Sequence, residues 1–241
     1  MATITEIAPD LFRLCIYVPE LDLQFNHFLV RDDEPLLFHA GLKGMFPELR
    51  DALATLIHPN TLRHVAWSHF ESDEIGGLNH WLEQAPQAQP LCTFVGKVVS
   101  VDDFALRPAR SMGPEEVLTT GRYRFRFFPT PHLPHGWDAA LLFEESQKTL
   151  FCSDLLHQFG SVSPLTSDDL IAPSHAAMRQ MQQSSLDGYM PYTAQTEGLL
   201  AELAELHPRT LATMHGSSYS GDGHRMLNNL AAAMQEVFKP A

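Results

Sequence analysis

The order of apolar patterns along this chain predicts an α/β fold. Three observations carry that prediction. Strand-like runs open the chain, helical periodicity then alternates with short apolar runs, and the same alternation returns toward the C-terminus. "LFRLCIYV" (11–18), "FNHFLVRDD" (25–33) and "EPLLFHAG" (34–41) are apolar or alternating and bounded by turn formers, so they read as a meander that begins a sheet. "MFPELRDALATLI" (45–57) has its apolar residues at helical spacing, and "TLRHVAWS" (61–68) reads as a buried strand. "IGGLNHWLEQA" (75–85) is a helix whose first turn carries Gly76 and Gly77. Each glycine costs about 1 kcal/mol relative to Ala in a helix, so a close approach of backbone is expected there. "RYRFRFFPT" (122–130), "AALLFEES" (139–146) and "TLFCSD" (149–154) read as strands of a second half. "TAQTEGLLAELAEL" (193–206) follows as a helix, "RTLATMHG" (209–216) as a short strand and "GHRMLNNLAAAMQEVF" (223–238) as a closing helix.

Composition narrows the function. With 241 residues, 44% hydrophobic and 19% charged, and no linker-like stretch, the chain is expected to form a single domain over 1–241. A net charge of -13 with only 16 Lys and Arg argues against nucleic acid and anionic membranes as partners, because both need a basic surface. Cys15, Cys92 and Cys152 lie far apart with no CxxC spacing, so neither a disulfide framework nor a thiolate zinc site is indicated. The N-terminus has no leader pattern and no run is long enough to span a bilayer, which gives a cytoplasmic expectation. There is no GxSxG elbow, P-loop or GxGxxG; "GDGHRM" lacks the last glycine.

The chemistry gathers in "WSHFESDEIGG", where His69, Glu71, Asp73 and Glu74 fall within six residues. On a flat strand His69 to Asp73 would extend over roughly 13 Å, and on a helix residues two apart point to opposite sides. They converge only in a bent loop, which fits the end of the strand "TLRHVAWS", where ligands collect in open α/β sheets. His135 follows the strand "RYRFRFFPT" by a short loop, Asp154 ends "TLFCSD", and His215 ends "RTLATMH". One such residue after one strand is usually a cap or turn residue. Imidazoles and carboxylates after four apolar runs can surround one point and form a metal site.

With these residues in hand, the chain resembles the metallo-β-lactamase superfold, and within it the diiron domain of flavodiiron proteins and their oxygen-binding relatives. The resemblance rests on "HFESDE", "HGWD", "CSDLLHQFG", "MHGSS" and the early "NHFLV", and runs from about residue 10 to about residue 225. It implies a four-layer αββα sandwich with the metals in a cleft at one edge of the two sheets. By the same resemblance His69, Glu71 and His135 hold one metal, Asp73 and His215 the other, and Asp154 bridges them. Hydrolytic branches usually carry His where this chain has Glu71. A hard anionic donor there favours iron or manganese over zinc, so two iron ions are expected, with zinc or manganese as alternatives. The implied ligands are dioxygen and nitric oxide.

The chain ends with no room for a flavodoxin-like domain, so no flavin is expected and turnover would need an external electron donor. Without one the site suits an oxygen sensor with a signalling partner. The competing reading is a dinuclear metallohydrolase of an ester, thioester or phosphodiester, with Asp73 orienting the attacking water. Two positions depart from the family pattern. Glu74 replaces a usual His and could ligate the second metal, bond a water there, or turn outward as a solvated first-turn residue. His39 replaces a common Asp and could support a metal ligand from behind, though it reads more readily as a packed histidine. His132 competes with His135, which has the family's spacing to Asp138. His157 is a plausible cleft neighbour, and Trp137, Phe159 and Tyr219 could wall a pocket.

Overall fold

The computed structural model describes residues 1–114 and 116–239. The first sheet runs in chain order through β1 (Thr3–Ala8), β2 (Leu11–Val18), β3 (Leu23–Val30), β4 (Leu36–Phe38), β5 (His64–Ala66), β6 (Gln89–Cys92) and β7 (Arg110–Ser111). Its opening meander is antiparallel; from β4 onward neighbours are parallel. The second sheet contains β8 (Val117–Thr119), β9 (Arg124–Pro129), β10 (Ala140–Glu144), β11 (Thr149–Ser153), β12 (Leu165–Thr166), β13 (Thr210–Thr213) and β14 (Ser218–Ser220), in the order β12-β14-β13-β11-β10-β9-β8.

Eight α-helices and three other helical turns complete the described fold. The first half holds α1 (Phe46–Leu53), α2 (Ser72–Ile75), α3 (Leu78–Gln84), α4 (Phe94–Gly96) and α5 (Asp102–Phe104), with a π-helical turn over Lys97–Val101. The second half holds α6 (Ile171–Gln182), α7 (Thr196–Ala204) and α8 (Gly223–Phe238). Local chemistry sets several ends: Pro47 opens α1, and the Asp222 carboxylate accepts the Arg225 N–H to cap α8.

Side-chain alternation assigns the layers. In β4, Leu36 and Phe38 face the space between the sheets while Leu37 faces outward; in β11, Phe151 faces inward while Leu150 and Cys152 face outward. The inner layer also takes Phe28, Phe125, Phe127, Leu142 and Ala212, with the Phe151 ring 5.0 Å from Phe38 and 5.7 Å from Phe28. Leu49, Leu53, Leu78, Trp81 and Leu82 cover the outer face of the first sheet, and Met178, Leu200, Leu203, Leu227 and Leu230 that of the second. Each fully buried side chain of this size stabilises the fold by about 1.5–3 kcal/mol. The result is the four-layer αββα arrangement of the metallo-β-lactamase type.

The expected close approach at the glycine pair is to the loop after β4. A Cβ on Gly77 would lie 2.6 Å from the Ala40 carbonyl oxygen, and the Gly77 N–H donates to Gly41 O at 2.7 Å. The pair also divides the expected helix: α2 ends at Ile75 and α3 begins at Leu78. Trp81 Nε1 donates to the same Ala40 carbonyl at 2.9 Å, so two elements pin the loop that borders the cleft.

Candidate metal centre

The bend that the 69–74 segment needs is closed by Glu74. Its Oε2 accepts the backbone N–H groups of Ser68 at 2.6 Å and His69 at 3.3 Å, while Oε1 accepts the Ser153 hydroxyl at 2.5 Å. Glu74 is fully buried, on the side of His69 away from the cavity, with Oε1 3.6 Å from His69 Nδ1 and 3.4 Å from His39 Nε2. This corrects the three readings weighed from sequence: Glu74 neither joins the donor cluster nor faces the cleft nor turns to solvent. An acidic residue in a first helical turn favours solvent only when no buried donors claim it, and here three do. His39, buried at φ +69°, donates from Nδ1 to Asn26 O at 3.1 Å and packs against Glu74.

With the bend closed, His69 and Glu71 meet His135 and Asp154. Glu71 Oε2 lies 3.0 Å from His69 Nε2 and 3.2 Å from His135 Nε2, and Asp154 Oδ2 lies 2.9 Å from His135 Nε2. One donor atom from each of these four residues falls within 4.8 Å of the others. The second oxygen of Asp154 turns the other way, 3.3 Å from His215 Nε2, which stands 3.4 Å from Asp73 Oδ2. Donors about 2.1 Å from a shared ion stand roughly 3–3.5 Å apart, so both groupings suit a metal. Asp73 Oδ1 and Asp154 Oδ1 are buried with no hydrogen-bond partner. Unpaired buried acceptors cost about 1–3 kcal/mol each, a cost that bound cations remove.

Several devices aim these donors. The β11–β13 pairing shifts register between Phe151 and Ser153, and Ser153 adopts φ +50°, so the chain kinks just before Asp154. His215 Nδ1 donates to Gln24 O at 2.9 Å, which leaves Nε2 for the site. Its loop is tied down from the first sheet: Asn26 Nδ2 donates to Thr213 O and Gly216 O at 2.9 Å, and buried Arg13 donates to Gly216 O at 3.1 Å. Gly216 has φ +95°, and a Cβ there would meet Gln158 Cβ at 2.8 Å. Asp138 Oδ2 accepts the Phe70 N–H at 2.9 Å, joining the loops of His69 and His135. Sequence reasoning missed Arg13, Gln24 and Ser153; an arginine inside the apolar run "LFRLCIYV" was the available signal.

A cavity of about 360 Å³ opens over the donors. Leu21, Leu23, Phe25, Leu42, Phe159, Met181, Leu186 and Tyr189 give it a mainly apolar lining. The Tyr189 hydroxyl lies 3.3 Å from the His157 ring nitrogens. Burial brings His157 down to about 4 and pushes the Tyr189 phenol up, so at neutral pH Tyr189 donates to a neutral imidazole. His132 is exposed and outside the cluster, Tyr219 is buried in the outer core, and Trp137 faces solvent.

Without a metal the cluster is a set of imidazolium–carboxylate pairs. Burial alone would depress the histidines, but facing carboxylates outweigh it: Glu74, Glu71 and Asp154 hold His69 up at about 9, Asp154 and Glu71 hold His135 at about 10, and Asp154 and Asp73 hold His215 at about 10. Hydrogen bonds from His135 and His69 bring Glu71 down to about 2. A raised histidine stabilises the fold fully below its unfolded value near 6.5 and ceases to do so as pH rises through 9–10. Glu71 contributes above 4.5 and is lost as pH falls toward 2. Metal-free protein is therefore expected to be most stable between about pH 4.5 and 6.5. Metal must displace the imidazole protons, so the gain in melting temperature on metal loading should grow from pH 6 to pH 9. Thermal melts of both forms across pH check this; a gain that shrinks with pH contradicts it.

A two-sheet sandwich with a histidine–carboxylate cluster at one sheet edge defines the metallo-β-lactamase class. The family model for ODP family beta lactamase matches residues 23–216, and the chain belongs to that family. It is 22% identical over 139 residues to the flavo-diiron protein FprA2 of Clostridium acetobutylicum, covering 57% of this chain and 35% of that relative. Among solved structures it is similar to the flavodiiron protein of Giardia intestinalis (TM-score 0.79, 18% identity, 97% of this chain and 59% of that one). It is likewise similar to rubredoxin oxygen:oxidoreductase from Desulfovibrio gigas (TM-score 0.79, 17% identity, 97% and 62%). A 1–254 fragment of a putative diflavin flavoprotein A 5 from Nostoc sp. PCC 7120 matches nearly end to end (TM-score 0.77, 15% identity, 98% and 96%). The chain spans about a third of the curated relative and about three fifths of the Giardia and Desulfovibrio proteins. No helix among the described residues is long and apolar enough to cross a membrane.

Proposed function

We propose that this chain is a non-haem diiron protein that binds dioxygen or nitric oxide, acting as an oxygen sensor or, with a separate electron donor, as a reductase of these gases. The observation that carries the reading is the division of Asp154, whose Oδ2 faces His135 while Oδ1 faces His215. In this reading His69, Glu71 and His135 hold one ion, Asp73 and His215 the other, and Asp154 both. Two iron ions, when bound, supply the redox equivalents and the place where the gas binds. The three carboxylates Glu71, Asp73 and Asp154 offset the charge of two cations and favour hard ions. The cavity walls are mainly apolar, and Tyr189, kept protonated by burial, is the hydrogen-bond donor beside His157.

The relatives support this reading through the diiron and oxygen:oxidoreductase chemistry that their names carry. The electron donor belongs to the proposal as well, with a rubredoxin-like or flavodoxin-like protein the kind to test. The experiment is anaerobic purification from iron-replete cells, metal analysis, and an optical spectrum of reduced protein before and after air. We expect two irons per chain, no co-purifying flavin, and a new near-ultraviolet and visible absorption on exposure. A single zinc, no change in air, and thioester or phosphodiester hydrolysis at an enzyme-like rate would replace this reading with the metallohydrolase.

A further inference from the structure

A charged side chain lies where the sandwich is otherwise apolar. Arg13 is 1% exposed, and with Leu11 and its β3 neighbour Phe28 it occupies the face of the first sheet that meets the second. Arg31, Arg122 and Arg124 pair with carboxylates at the surface. Arg13 differs. Burial holds its pKa below the usual arginine value, no carboxylate offsets this, and its Nε–H has no acceptor among the described residues. A guanidinium stays protonated even so. A buried cation without a counter-ion weakens a fold relative to an apolar side chain of similar volume, so packing does not account for Arg13.

Its contacts lead to the metal centre. One terminal nitrogen, Nη2, donates to Gly216 O at 3.1 Å and to Gln24 Oε1 at 3.3 Å. These two residues hold His215. Gly216 follows it in the chain, and the Gln24 carbonyl accepts its Nδ1–H at 2.9 Å, which aims Nε2 at Asp154 Oδ1 (3.3 Å) and Asp73 Oδ2 (3.4 Å). The Gln24 side chain is itself anchored to the second half of the chain, through Val162 O at 3.1 Å. Arg13, Gln24, His215 and Gly216 thus close a ring across the two sheets. His69 has Glu74 of its own loop behind it, with Oε1 3.6 Å from Nδ1, whereas His215 takes its support from the first sheet.

We propose that Arg13 is a positioning residue for the second metal position: it fixes His215 from behind, through Gly216 and Gln24, and lowers the stability of the metal-free fold in doing so. The inference rests on the reading that Asp73, His215 and Asp154 hold a second ion, and does not require that ion to be iron.

The test is stepwise cobalt(II) binding to the metal-free full chain by titration calorimetry, with thermal melts of the same samples. Wild-type protein should take up two ions. Arg13→Met keeps a comparable volume but removes the charge and the donors. Its second binding step should weaken about 10–100-fold, as when outer partners of a ligand are lost, while the first step is unchanged. The melting temperature of its metal-free form should stay level or rise, the opposite of what a merely structural arginine would give. Arg13→Lys, as charged but one atom shorter, should also weaken the second step, because its ammonium falls short of Gly216 O and Gln24. Weakening of both steps with a lower melting temperature in Arg13→Met makes Arg13 a structural residue and overturns the proposal. So does a second step unchanged in Arg13→Met or fully kept in Arg13→Lys. A wild-type chain that binds one ion overturns the two-ion reading itself, and the role of Arg13 with it.

Discussion

Asp154→Ala should leave protein that retains almost no iron after gel filtration, while Asp73→Ala retains about half the wild-type content. The asymmetry follows from position. Asp154 alone offers an oxygen to each grouping, at 2.9 Å from His135 Nε2 and 3.3 Å from His215 Nε2, whereas Asp73 faces only His215. Removing outer hydrogen-bond partners of metal ligands already costs roughly 10–100-fold in affinity, and deleting a shared donor costs each position more than that. It also leaves three histidines facing one another with less anionic charge, although Glu71 still compensates His69 and His135. Metal analysis of both variants, with circular dichroism as a check on folding, reads the outcome. Equal loss from the two variants would show that Asp154 is not shared.

The strands legible in the sequence were those long and apolar enough to fill a core on each face. The meander β2 to β4 and the strands β9 to β11 and β13 show themselves because alternate residues enter different cores, as Leu36 and Leu37 do. The edge strands β7 and β12 have two residues each, too short for any period, and exist through pairing. Helix α6 escaped notice because only Ser174, Ala177 and Met178 of its twelve residues are buried, which leaves no apolar stripe to see.

The donor residues were legible because each follows an apolar run. What orients them was not. Arg13 and Asn26 act on Gly216, 203 and 190 residues away, and no local pattern encodes such a partner. Glu74 was misread for the same reason: its local position favoured solvent or the metals, while the Ser153 hydroxyl that completes its burial comes from the other sheet.

Glu71→His is the substitution expected to change the metal rather than remove it. Glu71 sits between His69 and His135 at 3.0 and 3.2 Å, and hydrogen bonds from both rings hold its carboxyl down at about 2, so it is anionic throughout the useful pH range. An imidazole in its place makes the first grouping three histidines with one shared aspartate, a donor set that suits zinc. It also deletes one negative charge, which leaves a more cationic centre that stabilises the oxidised iron pair less. Glu71 is about half exposed, so the larger ring can enter from the cavity side with little disturbance of the core. We expect zinc occupancy to rise at the expense of iron and the absorption change of reduced protein in air to vanish. A more acidic water at such a centre would also allow weak esterase or phosphodiesterase activity to appear. If the variant keeps its iron and its oxygen response, the carboxylate does not set the metal preference. If wild-type protein hydrolyses a thioester with zinc bound and Glu71→His leaves that rate unchanged, the oxygen reading fails with it.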